Sequence, residues 1–138
     1  MDLTQIPFHS LLGLERSSKT GFVFSFPDDE KYTNHIGIVH ASALTSLAEI
    51  TSGECIVLLS KSLPFEIVPV VCRLETRFKH PAEGAIHSRY LLKDEEFETC
   101  ARRLEARGKA TLAVEVEVCT SNGQQVLTGT VNYFISKK

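Results

Sequence analysis

Hydrophobic and polar positions follow one period in the first half of the chain and another in the second. From about His40 to Ser60, Leu44, Leu47, Thr51, Cys55 and Leu58 recur at three- and four-residue steps with no proline among them, which predicts a long α-helix. Ala41, Ala43, Ala48 and Ile50 widen the stripe until the helix is apolar most of the way round, so it is expected to be buried on several sides. Gly53 inside it costs roughly 1 kcal/mol against alanine and predicts close approach of another backbone. Beyond Pro64 the period falls to two. In "VVCRLETRFKH", Cys72, Leu74, Thr76 and Phe78 share one face and Arg73, Glu75, Arg77 and Lys79 the other, the pattern of a half-exposed strand.

A turn at His80–Gly84 leads to a second strand, "AIHSRYLLK", with Ile86, Ser88, Tyr90 and Leu92 on one face. "DEEFETCARRLEARG" is polar, helix-permissive and closed by Gly108, so it reads as a short surface helix. "KATLAVEVEVCT" alternates with Leu112, Val114, Val116 and Val118 in, Glu115 and Glu117 out. Asn122-Gly123 then signals a hairpin into a last strand, "QVLTGTVNYFIS". Upstream, "LTQIPFHSLLG" has helical spacing with Gly13 as its stop. "LERSSKTGFVFSF" reads as a strand pair or one bent strand, ended by Pro27-Asp28-Asp29, and Asp28 to Val39 as a loop. An apolar helix and strands able to pair antiparallel predict an α+β domain in which a curved sheet wraps the helix. A free edge and a partly apolar face would then be open to a second copy.

With that frame, composition adds limits. The chain has 138 residues and 43% hydrophobic content, enough for one compact domain spanning 1–138 with a proper core. The formal charge is −2 and no basic run exceeds two residues, which argues against a nucleic-acid partner held through phosphates. Cys55, Cys72, Cys100 and Cys119 form no CxxC pair and fall in apolar or strand-like segments, so they are expected as reduced thiols of a cytoplasmic protein, with no metal site. The N-terminal stretch has the pattern of neither a signal peptide nor a membrane anchor, so no membrane association is expected.

Glu49 breaks the pattern: it lies inside the apolar helix among Leu47, Ala48 and Ile50, and its nearest basic residue in sequence is Lys61. A carboxylate there is costly unless it is paired or used. Burial would raise its pKa, as suits a base working near neutral pH.

The spacing Asn-x5-His-x8-Glu in "NHIGIVHASALTSLAE", followed by "RFKHPAEG" and a closing "NGQQVLTGTVNYFI", resembles the hotdog-fold thioesterases, closest to the phenylacetate-type acyl-coenzyme A thioesterases and the uncharacterised thioesterase-like domains related to them. The likeness covers nearly the whole chain in element order. It implies a hotdog fold, a homodimer or dimer of dimers, and hydrolysis of an acyl-coenzyme A thioester with coenzyme A entering only as part of the substrate and no separate cofactor. By the same resemblance Glu49 is the general base or nucleophile, Asn34 positions the carbonyl or the water unless it only forms the turn of its loop, and the Ala41 N–H points at the thioester oxygen. His40 either acts in catalysis or fixes the loop and helix start. Ala41 replaces the family's usual glycine, which tightens the approach. No hydroxyl stands at Val70, Val71 or Cys72, where many relatives carry one; Thr51 and Ser52 are the nearest substitutes. His9, His35, His80 and His87 are expected to be exposed.

Coenzyme A carries phosphates, and Arg77, Lys79, Arg107 and Lys109 are the candidates to meet them. Leu44, Leu47 and Phe65 are the expected walls of the acyl tunnel. Ala41 and Glu49 are eight residues apart, about 12 Å along a helix, so a single carbonyl meets both only if they come from different chains. Two other readings stay open. One is an acyl-coenzyme A binding module without turnover. The other is a hotdog hydratase or dehydratase, which wants a Pro- and Gly-rich segment where this chain has Ile36-Gly37-Ile38-Val39.

Overall fold

The computed structural model describes residues 1–138. The elements are α1 (Pro7–Leu12), β1 (Glu15–Arg16), β2 (Phe24–Phe26), α2 (Ala41–Ser62), β3 (Ile67–Phe78), β4 (Ile86–Leu91), α3 (Asp94–Arg107), β5 (Lys109–Thr120) and β6 (Gln125–Lys137). Short 3-10 turns at Leu3–Gln5 and Glu30–Tyr32 complete the chain. The six strands form one antiparallel sheet in the order β1-β2-β4-β5-β6-β3.

α2 fits the sheet because its apolar positions leave no wholly polar side. Leu44, Leu47, Ala48, Thr51, Cys55 and Leu59 are buried, and the helix packs on β2, β3, β4, β5 and β6. This is the hotdog arrangement, a curved antiparallel sheet wrapped around a central helix. By length and hydropathy α2 would also pass for a membrane span, yet half of its most apolar stretch is buried within the wrap, where it serves as the core helix. α3 lies beside it, presenting Cys100 and Leu104 inward and its charged residues outward. Gly13 and Gly108 close α1 and α3 in the left-handed conformation, as glycine allows without a Cβ penalty.

Several local expectations change on folding. β3 carries a bulge between Val71 and Arg73. Cys72 drops out of register there, and its thiol donates to the Asn132 carbonyl at 3.3 Å. Val71, opposite Tyr133, therefore joins Leu74 and Phe78 on the α2 side. Outward-facing Glu117 is buried nonetheless, because Arg89 and Gln125 close over its carboxylate. His87 is buried too, held by the hydroxyls of Ser17 at 2.8 Å and Ser121 at 3.0 Å, and its pKa is lowered by burial and by Lys19. Gly53 is approached by a side chain, not a backbone: a Cβ there would lie 3.3 Å from Leu3 Cδ1. The close backbone approach falls at Gly129 of β6, where a Cβ would lie 2.7 Å from the Glu75 carbonyl oxygen.

β3 is the long edge strand of the sheet, opposite the two-residue β1 at the other edge. Its outer side has no partner, and Val68, Val70, Val71, Leu74 and Phe78 are all exposed.

Candidate functional site

The loop from Tyr32 to His40 is folded by its own polar groups. Asn34 N–H donates to the Ile38 carbonyl at 2.8 Å, while its side-chain oxygen accepts from Ile36 N–H at 3.0 Å and Ile38 N–H at 3.3 Å. Gly37 supplies the positive φ of 80° that the turn needs. Asn34 is thus the turn-former of this loop through its oxygen, and its amide NH2 group remains unengaged. His40 caps α2, its Nδ1 accepting from Ser42 N–H at 2.9 Å, so the structure gives it the role of fixing the helix start. Ala41, the first residue of α2, keeps an N–H without a partner, as first-turn amides do. Asn34, Ala41 and Leu44 line one cleft of about 300 Å³, closed on the far side by Phe78, Lys79 and Pro81 at the end of β3.

Glu49 lies two turns further along α2. Its side chain is half-buried and has no hydrogen-bond or ion-pair partner. Burial raises its pKa above the ordinary carboxylate range, and nearby His9 opposes that rise in part. His9 is held over the helix by α1, its Nδ1–H donating to the Leu3 carbonyl at 2.8 Å. Two hydroxyls, from α2 and β6, lie close to Glu49. Ser52 Oγ donates to the Glu49 carbonyl and accepts from the Tyr133 hydroxyl, both at 2.6 Å. Tyr133 is pushed up to about 12 by burial, with the Glu49 charge adding to the rise. Thr51 points the other way, bonding Leu47 and Ser88 in the core. Tyr133 was not singled out by the sequence pattern, which signals only its inward position in β6.

One chain does not bring the two halves together. Asn34 and Ala41 share a cleft at the start of α2, while Glu49 stands two turns away, flanked by Ser52 and Tyr133. The basic residues divide as well. Lys79 alone joins Asn34 and Ala41. Arg77 stands on the outer face with Glu75, Glu115 and Glu117. Arg107 and Lys109 lie with Arg102 and Arg103 in a groove between α3 and β5. Of the expected tunnel walls, Leu44 lines the Asn34 cleft. Leu47 is fully buried in the core, and Phe65 packs under Lys137, whose ammonium is 4.5 Å from its ring centre.

A free helix-start amide in a cleft and a desolvated carboxylate on the same helix can polarise a carbonyl and accept a proton, provided both reach one substrate. The fold is that of the thioesterase superfamily. A Pseudomonas aeruginosa protein of unknown function, named a probable thioesterase, is 26% identical with a TM-score of 0.80, covering 99% of this chain and 91% of that one. A Chlorobaculum tepidum protein of unknown function is 19% identical with a TM-score of 0.83, covering 97% and 88%. A Bacillus halodurans protein solved with coenzyme A is 19% identical with a TM-score of 0.63, covering 81% and 69%. The last two likenesses speak for the fold alone. No curated protein matches the chain. Residues 15–135 match the family model of a domain of unknown function, DUF4442, and the chain belongs to that family.

Proposed function

We propose that the protein hydrolyses an acyl-coenzyme A thioester, in a site assembled from two copies of the chain. The observation that carries this reading is Glu49: a carboxylate on the central helix, desolvated, without an ion-pair partner, and raised in pKa by its burial. Left so, it costs stability, and general-base or nucleophilic work is the use that its chemistry offers. The Ala41 N–H, at the positive end of α2, would meet the thioester oxygen. A two-fold partner at the free β3 edge would bring its own Glu49 toward that cleft. The hydroxyls of Ser52 and Tyr133 would then flank the attacking water. The coenzyme A held by the Bacillus halodurans relative supports the substrate class.

The test is turnover of a mixed acyl-coenzyme A panel by wild type and Glu49→Gln, with free coenzyme A read by chromatography because Cys72 is an exposed thiol that would react with a dye. Loss of the base should lower kcat/KM at least about a hundredfold, or roughly 3 kcal/mol of transition-state stabilisation. Equal turnover in the two proteins would make Glu49 structural. One observation favours a second reading, an acyl-coenzyme A binder without turnover. The Asn34 oxygen is already committed to the Ile36 and Ile38 amides, so only its NH2 group is free to act. Tight binding of one ester with no turnover by wild type would select it.

A further inference from the structure

A second cleft, of about 280 Å³, opens one turn beyond Glu49 between α2 and β3. Leu3, Ile56, Val57, Ile67, Pro69 and Tyr133 give it apolar walls. Its relation to Glu49 is fixed by the helix: Gly53 lines it four residues on, and Tyr133, another lining residue, bonds Ser52 and feels the Glu49 charge. It runs along α2 as far as Ser60 and Lys61, about 12 Å past Gly53. That length suits an extended hydrocarbon chain lying against the apolar walls. At the ~1.3 Å that each carbon of such a chain advances, it spans roughly nine carbons.

One wall is not part of the sheet or the helix. Met1 and Leu3 belong to the N-terminal segment, and Leu3 seats on Gly53, where any side chain would crowd it. Gly53 thus explains itself: its missing side chain leaves the space that Leu3 and the cleft share.

We propose that this cleft is the acyl-chain pocket of the Glu49 site, that it takes straight aliphatic chains of about nine carbons in preference to aryl groups, and that Leu3 limits the room it offers. The proposal rests on the thioesterase reading for the catalysis but not for the binding. Leu3→Ala removes about three carbons from the wall and should move the preferred chain longer; Val57→Phe, at a half-exposed position, fills the channel and should move it shorter.

The experiment is a kcat/KM series over straight-chain acyl-coenzyme A esters and phenylacetyl-coenzyme A, for wild type and both variants. Titration of each protein with octanoate, followed in the methyl spectrum of Ile56 and Val57 or, in the Val57→Phe protein, of Ile56, runs beside it. Optima that shift by two or more carbons in opposite directions support the proposal. Turnover with an optimum unmoved by either variant, or a wild type that prefers phenylacetyl-coenzyme A tenfold, overturns the pocket and leaves the thioesterase reading standing. No turnover, but octanoate moving those methyl signals and binding more weakly to Val57→Phe, overturns the catalytic reading and keeps the pocket. Neither turnover nor a methyl response overturns both.

Discussion

Leu74→Glu tests whether the site needs two chains. On the α2 side of β3, Val71, Leu74 and Phe78 are 37%, 38% and 52% exposed in the single chain. Fully burying such a side chain contributes about 1.5–3 kcal/mol, so covering the remaining part of each contributes about 1 kcal/mol. A two-fold interface uses each residue twice, giving about 6 kcal/mol from this strip beside the backbone pairing of the two edges. Glutamate at position 74 removes about 1 kcal/mol per copy and sets a carboxylate against an apolar surface, costing about 1–3 kcal/mol more each. Dissociation should strengthen by at least about a thousandfold, at 1.4 kcal/mol per factor of ten. The isolated fold should lose only about 1–2 kcal/mol, because Leu74 is already partly in water. Sedimentation velocity and turnover per chain, measured across one protein-concentration series, check this. The variant should be monomeric where wild type is dimeric, and its activity should return as concentration restores the pair. A variant that sediments like wild type, or a monomer with full turnover per chain, would refute the argument from the helix distance.

The remaining predictions concern charge and packing. Burial raises the Glu49 pKa in the folded state, so folding is favoured most below the unfolded carboxylate range and loses that contribution as pH rises through the folded value. Glu49→Gln should therefore melt above wild type near neutral pH and lose that advantage by about pH 4, as thermal scans at the two values would show. Protonated His9 favours the Glu49 carboxylate, so His9→Gln should move the acidic limb of the kcat/KM profile to higher pH; an unmoved limb would separate the two groups. Gly129→Ala should destabilise the chain by about 1–3 kcal/mol, because the new Cβ meets the Glu75 backbone oxygen, which has no freedom to give way. Denaturant unfolding measures it, and a neutral result would mean that β3 shifts freely.

The site was legible in part. Glu49 stands out as a carboxylate in an apolar helix, and Asn34, His40 and Ala41 through the resemblance to the thioesterase pattern; each lies on the predicted loop or helix. Their hydrogen bonds were not legible. That His40 caps the helix and that the Asn34 oxygen closes a turn depend on backbone directions that no spacing encodes. Tyr133 looked like any inward residue of β6, since its bond to Ser52 joins positions far apart in the chain. The four basic residues looked equivalent in sequence, yet strand order sends Lys79, Arg77 and the Arg107–Lys109 pair to three different places.

The sequence by itself determined the elements: a long apolar helix, alternating strands, a hairpin at Asn122-Gly123 and the glycine stops. These follow from local period and backbone preference, which act over a few residues. Only the tertiary structure decided the strand order, the bulge that turns Val71 toward α2, the burial of His87 and Glu117, and the meeting of Leu3 with Gly53. Those depend on which distant segments exclude water from one another, and that is settled when the sheet closes around the helix.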